Sequence, residues 1–308
     1  MKFSELKFIC GAIILIAALQ AQSSPPPSGN AVPKLLRVIL LGGQSNADGR
    51  APGSGLPISP VNLQAPQTNV LFYQYTNGGA RNADGTLGTL TTLRPGATQM
   101  PPGGFGPEVA LGYNLSRVIA QQPGAQLVII KYAKGGSSLA VDWKAGGDGT
   151  TNGDGAYYRI FQRVVKDGLA KLQSTFPDST IQVAGTAWVQ GESDIDGGSA
   201  RADVYATNLV RFISDVRQTF SPALPFFFSR ISAQQKVYSA PTSTHYASYL
   251  VLRSQQEKVA ATMMNAYMID TDGPDFAMKP DFLHFDAIGQ QAMGAAFAAE
   301  IKRVAVGK

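Results

Sequence analysis

Short runs of nearly continuous apolar residues alternate along the chain with segments whose apolar positions recur at three- and four-residue steps. Six such runs, 37–41, 69–75, 126–133, 181–189, 225–231 and 266–269, are of strand length. Helical spacing marks Leu111, Leu115 and Val118; Phe161, Val164, Leu169 and Leu172; and Tyr205, Leu209, Phe212 and Val216. It returns at Tyr249, Leu252, Val259 and Met263, and at Met293, Phe297, Ile301 and Val304. A strand that is apolar on both faces needs cover on both, which a parallel sheet obtains from its crossover helices. The pattern predicts an α/β fold, a three-layer α/β/α sandwich around a mostly parallel sheet, in a single domain over 34–308.

Two stretches break the alternation: 50–106, dense in Gly, Pro, Asn and Thr, and 146–155. Long loops in a compact domain are more often functional than idle, which places these at the rim of a substrate cleft; surface decoration is the plainer alternative. The run from Gly147 to Gly155 lacks the twelve-residue ligand spacing of a calcium loop, and its turn-forming residues account for it.

Ahead of the domain, Lys2 and Lys7 flank the start of an apolar run over 8–19 that gives way to Gln20 and Ala21. This is the layout of a signal peptide over 1–21, cleaved after Ala21. The run is shorter than the roughly 20 residues a bilayer-spanning helix requires, so a retained anchor is the weaker reading. The mature chain is expected to be secreted or periplasmic, free of the membrane. Residues 22–33, with Pro25, Pro26 and Pro27 at their centre, read as an extended tether. Cys10, the single cysteine, lies in the apolar run without the small residues of a lipobox and leaves with the leader.

Lys plus Arg number 26 against 21 Asp plus Glu, a net charge of +5. No basic cluster interleaves with aromatics, so no nucleic-acid partner is expected. With one cysteine and two histidines, His245 and His284, a Cys/His zinc site cannot be assembled. Neither a metal nor a cofactor is expected.

Open parallel sheets bind ligands beyond the carboxyl ends of their strands. Gly42-Gly43-Gln44-Ser45-Asn46 follows the first run, its glycines permitting a tight turn that presents a hydroxyl. Lys134-Gly135-Gly136-Ser137 offers backbone amides unshielded by side chains, and Gln190-Gly191-Glu192-Ser193-Asp194 adds a side-chain amide. Asp281-Phe282-Leu283-His284 precedes the last helix. Each is ordinary alone: a turn serine, a strand-end glycine pair, a buried amide, an acid three residues before a histidine. Together, Ser, His and Asp are the parts of an acyl-transfer triad, and the amides are the parts of an oxyanion hole.

Through these blocks the chain resembles the SGNH hydrolase superfamily, and within it the sialate O-acetylesterase-like proteins and the acetyl xylan esterases of carbohydrate esterase family 6. The residues that carry the resemblance, in order, are Gly43-Gln44-Ser45-Asn46, Gly104-Phe105-Gly106-Pro107-Glu108, Gly135-Gly136-Ser137, Trp188-Val189-Gln190-Gly191-Glu192-Ser193-Asp194 and Asp281-Phe282-Leu283-His284-Phe285-Asp286. The resemblance implies a flavodoxin-like, five-stranded parallel sheet between helices and a cofactor-free serine esterase that removes acetyl groups from sugars. It makes Ser45 the nucleophile, His284 the base and Asp281 its orienting carboxylate. By the same resemblance Gln190 stands where the wider superfamily has an oxyanion-donating asparagine, beside the amides of Ser45 and Gly135. Gly136 stays open as the alternative to Gly135.

His245 has no acid near it in sequence and reads as a surface or helix-start residue. Glu192 and Asp194 are neighbours on one turn rather than carboxylates opposed across a sugar, so they read as a buttress of the Gln190 loop and not as a glycosidase pair. Trp143 and Trp188 are core residues or sugar platforms, and Trp143, following the glycine block, is the candidate substrate contact. The expected partner is an acetylated oligo- or polysaccharide: acetyl xylan, a sialate or a wall sugar. A lipase or thioesterase of the same superfamily is the nearer rival; its long acyl pocket calls for aliphatic lining, whereas these loops are rich in Gly, Asn and Thr. A non-catalytic glycan-binding protein is the other, and the intact Ser45, Asp281 and His284 set argues against it.

Overall fold

The computed structural model describes residues 32–75, 86–96, 98 and 101–306; the expected leader over 1–21 and all but the end of the tether over 22–33 lie outside them. In chain order the elements are β1 (Leu35–Gly43), α1 (Ser45–Asp48), β2 (Ala51–Pro52), β3 (Gln67–Tyr75), β4 (Gly88–Leu93), β5 (Gly104–Phe105), α2 (Glu108–Ile119), β6 (Ala125–Ala133) and α3 (Ala156–Thr175). There follow β7 (Thr180–Val189), α4 (Glu192–Asp196), α5 (Ser199–Ala202), α6 (Tyr205–Phe220), β8 (Phe226–Ser229), α7 (Lys236–Ser239), α8 (Tyr246–Thr262), β9 (Ala266–Ile269) and α9 (Ala287–Ile301).

Seven strands form one sheet in the order β4-β3-β6-β1-β7-β8-β9, with β3 and β4 antiparallel and all other neighbours parallel. Strand β1, flanked by β6 and β7, shows why its sequence is apolar apart from Arg37. Leu36, Val38 and Leu40 join one core with Phe161 of α3, Phe212 of α6 and Leu252 of α8, while Ile39 and Leu41 join another with Leu111 of α2 and Phe297 of α9. Successive side chains point to opposite faces, and each face is roofed by helices. The α/β/α expectation holds.

The six apolar runs are the six parallel strands. The five-stranded expectation falls short by one parallel strand and by β4, whose sequence Gly-Thr-Leu-Thr-Thr-Leu is too polar for an apolar run to reveal. At the sheet's edge β4 needs burial on fewer sides. Within the long loop, β2 pairs with β5 antiparallel. The glycine loop over 146–155 is closed by two carboxylates: Asp154 accepts from the Gly146 amide at 2.6 Å, and Asp215 accepts from the Gly147 and Gly149 amides at 3.1 and 3.2 Å. These acids hold backbone amides, which accounts for the loop without a cation.

Candidate active site

Strand β1 ends at Gly43, whose φ of 135° and whose Cα, facing the Val189 carbonyl, leave no room for a Cβ. Gln44 N donates to Val189 O at 2.9 Å and Lys134 N donates to Gly43 O at 3.0 Å, so the turn is clamped to β7 on one side and to the end of β6 on the other. This launches α1 at the carboxyl edge of the sheet with Ser45 as its first residue. Beneath α1, Lys131 Nζ donates to the Asp48 carbonyl at 2.8 Å and to Glu108 Oε2 at 2.7 Å. Glu108 Oε1 accepts from the Gly106 amide at 2.9 Å. A buried ion pair is tolerable only when its remaining polar atoms are bonded, as here. The Gly104–Glu108 block thereby supports the floor of the serine turn.

In the turn before α9, Asp281 Oδ1 accepts from the backbone amides of Leu283 and His284 at 3.0 and 2.9 Å. Its Oδ2 lies 2.9 Å from His284 Nδ1, and His284 Nε2 lies 3.0 Å from Ser45 Oγ. Burial pushes the Asp281 carboxyl up, but the amide and ring of His284 and the amide of Leu283 outweigh it and hold the group below the ordinary carboxylate range. An ionised Asp281 accepts a hydrogen bond from Nδ1–H, which leaves the Nε2 lone pair facing the serine hydroxyl. The arrangement can move a proton from Ser45 to His284.

The His284 turn is also pinned from behind, by residues whose role the sequence reading missed. Asn46 Nδ2 donates to the Leu283 carbonyl at 3.2 Å and to Glu192 Oε1 at 2.6 Å, and Asn46 Oδ1 accepts from the Phe285 amide at 3.1 Å. Gln235 Nε2 donates to the same carbonyl at 2.9 Å and to Glu192 Oε1 at 3.1 Å. Glu192 therefore braces the His284 turn rather than the Gln190 loop. Burial pushes its carboxyl up, against the hydrogen bonds from Asn46 and Gln235, and its Oε2 has no hydrogen-bond partner among the described residues. A polar residue directly after the candidate serine was the available signal.

The two glycines differ in position. A Cβ on Gly135 would overlap Arg50 Nη2 and stand 3.5 Å from Ser45 Cβ, whereas Gly136, at a φ of 70°, has nothing within 4 Å of such an atom. Gly135 is the one that lies against Ser45. The expected oxyanion role of Gln190 does not fit its surroundings. Its side chain is fully buried, and Nε2, with two hydrogens, already faces Gln44 Oε1 at 3.1 Å, the Ser137 carbonyl at 3.1 Å and Asp194 Oδ2 at 2.6 Å, while Oε1 accepts from Tyr205. Gln190 ties three strand-end turns together. Asp194 braces that knot, accepting also from the Leu139 and Ala140 amides.

Trp143 is likewise corrected. It is fully buried, its ring 4.9 Å from that of Trp188 and 5.7 Å from that of Tyr132, and its Nε1 donates to Ser137 Oγ at 2.7 Å. Both tryptophans are core, where indole area is worth most to stability, and neither can meet a sugar. His245 immediately precedes α8, edge-on to Tyr238, as a helix-start residue. Among the described residues no group of three or more His, Cys, Asp or Glu is placed to hold a metal ion, and no helix is long and apolar enough to cross a membrane.

A family model described as carbohydrate esterase, sialic acid-specific acetylesterase, matches residues 35–303. Among solved structures, a protein from Arabidopsis thaliana is similar at 19% identity and a TM-score of 0.61, over 88% of this chain and 99% of that one. NanS is similar at 16% identity and a TM-score of 0.58, over 89% and 98%. A carbohydrate acetylesterase from Xanthomonas citri is similar at 20% identity and a TM-score of 0.57, over 88% of this chain and 57% of that one. At these identities the likeness speaks for the fold. No curated protein matches the chain.

Proposed function

The chain belongs to the sialic acid-specific acetylesterase family of carbohydrate esterases, and from that premise we propose that it hydrolyses O-acetyl esters of sugars through an acetyl-Ser45 intermediate. The observation that carries this reading is the continuous contact from Asp281 through His284 to Ser45, at 2.9 and 3.0 Å. Ser45 Oγ attacks the acetyl carbonyl as its proton passes to His284 Nε2, and the ionised Asp281 stabilises the imidazolium that forms. The oxyanion is met by backbone amides. That of Ser45, at the first position of α1, has no acceptor within its own helix, and that of Gly135 stands on a residue with no side chain to shield it. Collapse breaks the ester C–O bond, and the departing sugar oxygen takes the proton from His284. Water then gives a proton to His284 and attacks the acetyl-enzyme, releasing acetate and restoring the serine.

The substrate is an acetylated oligo- or polysaccharide, of acetyl xylan or sialate type, met outside the cytoplasm after removal of the leader over 1–21. The Gly-, Asn- and Thr-rich composition of residues 50–106 supports a sugar ester over a long acyl chain. Ser45→Ala tests the reading: acetate release from a peracetylated pyranoside should fall to background while the far-ultraviolet circular dichroism stays that of the wild type. Release at the wild-type rate by this variant would remove Ser45 from the mechanism.

A further inference from the structure

The turn that carries His284 holds one residue that the proton relay does not use. Phe282 follows Asp281 with a φ of 50°, in the left-handed region that residues with a Cβ seldom adopt, and it is 54% exposed. Single exposed apolar side chains are common and by themselves mean little. Phe282 differs from the rest in two independent ways. Among the described residues it is the only aromatic in the set of exposed large hydrophobics. Its backbone conformation carries a cost that glycine would avoid, and such costs cluster at functional sites.

Nothing in the turn's own bonding calls for the ring. Phe282 N donates to the Lys279 carbonyl and Lys279 N donates to the His284 carbonyl, at 2.9 and 2.8 Å, contacts that any residue can make. The anchoring is done by its neighbours: Leu283 packs against one core and Phe285 is buried in the other. Phe282 is left exposed, on the same turn as the partly exposed side chains of Asp281 and His284.

We propose that the Phe282 ring is the platform on which the acetyl-bearing pyranose rests, with the C–H face of the sugar against the phenyl ring and its ester directed to Ser45. The proposal deepens the esterase reading and rests on it. A pyranose has an apolar face and a polar rim, which a half-exposed aromatic beside the polar side chains of Asp281 and His284 in sequence complements. Because Phe282 and His284 belong to one hydrogen-bonded turn, a sugar seated on the ring is set in position relative to the base.

The test is acetate release by Phe282→Ala, Phe282→Gly and Phe282→Trp on two esters, methyl β-xylopyranoside triacetate and ethyl acetate. The proposal expects the KM for the pyranoside to rise about tenfold more than that for ethyl acetate in both the Ala and the Gly variants, with kcat much less affected, and Trp to restore it. The Gly variant keeps the left-handed turn without strain, so its loss reports the missing ring and not a displaced His284. Equal changes on the two esters, or a fall confined to kcat, would overturn the platform and leave Phe282 as a shaper of the turn. A wild type that releases acetate from neither ester fails the esterase reading itself, with Ser45→Ala as the blank.

Discussion

His284 Nε2 lies 3.0 Å from Ser45 Oγ across 239 residues of sequence. The contact is set less by the two residues than by Asn46, whose side chain bonds both sides of the His284 turn, at Leu283 O and Phe285 N. The residue next to the hydroxyl thus grips the segment that supplies the imidazole.

Replacing Asp281 with Asn should keep the fold and lower kcat on the order of 10³- to 10⁴-fold, because an amide no longer selects the Nδ1–H tautomer. The Asp281 carboxyl is held below its ordinary value of 3.8. A depressed carboxylate stabilises the folded state above its unfolded pKa and loses that contribution as pH falls through the folded one. The Tm of the wild type relative to Asp281→Asn should therefore fall on acidification through and below the ordinary carboxylate range.

Glu192 carries the opposite sign. Its folded pKa is raised from 4.5 by burial, so the unfolded chain gives up this proton first and stability falls as pH rises from that value toward the folded one. Glu192→Gln removes the titration while keeping an oxygen for Asn46 and Gln235. Thermal unfolding across a pH series should show the wild type losing Tm relative to the variant as pH rises above about 4.5. Parallel curves would contradict the raised carboxyl.

Gln190→Ala separates a knot from an oxyanion donor. Loss of the amide takes one hydrogen bond each from Asp194, Gln44 Oε1 and the Ser137 carbonyl and leaves a gap in a buried knot, a cost of roughly 2–3 kcal/mol or about 5 °C in Tm. The folded enzyme's kcat should fall by far less than the roughly 10²- to 10³-fold that removal of an oxyanion donor brings. A large kcat loss at unchanged Tm would return Gln190 to the reaction.

Much of this architecture was legible in the chain, and the reasons are specific. The parallel strands are buried on both faces, so Val38 to Leu41 is apolar at every position; β4, at the sheet edge, carries no such constraint and went unread. Ser45, Asp281 and His284 stood out because turns at strand ends leave little reason for that trio other than chemistry. Gln190 and Trp143 were misread for one reason: where a side chain points depends on partners remote in sequence. Gln44 reaches across to the Gln190 turn, and Trp188 closes over Trp143. Phe282 gave no sign in sequence, since exposure and a left-handed backbone exist only in the folded turn.

Trapping the acyl-enzyme tests the central claim most directly. The purified protein is mixed with methyl β-xylopyranoside triacetate, quenched in acid during turnover and digested for mass spectrometry. The account predicts an acetyl group on the peptide carrying Ser45, absent from Ser45→Ala and formed far more slowly by His284→Ala. Steady acetate release with no acetyl on that peptide, or with acetyl on another residue in its place, would contradict it.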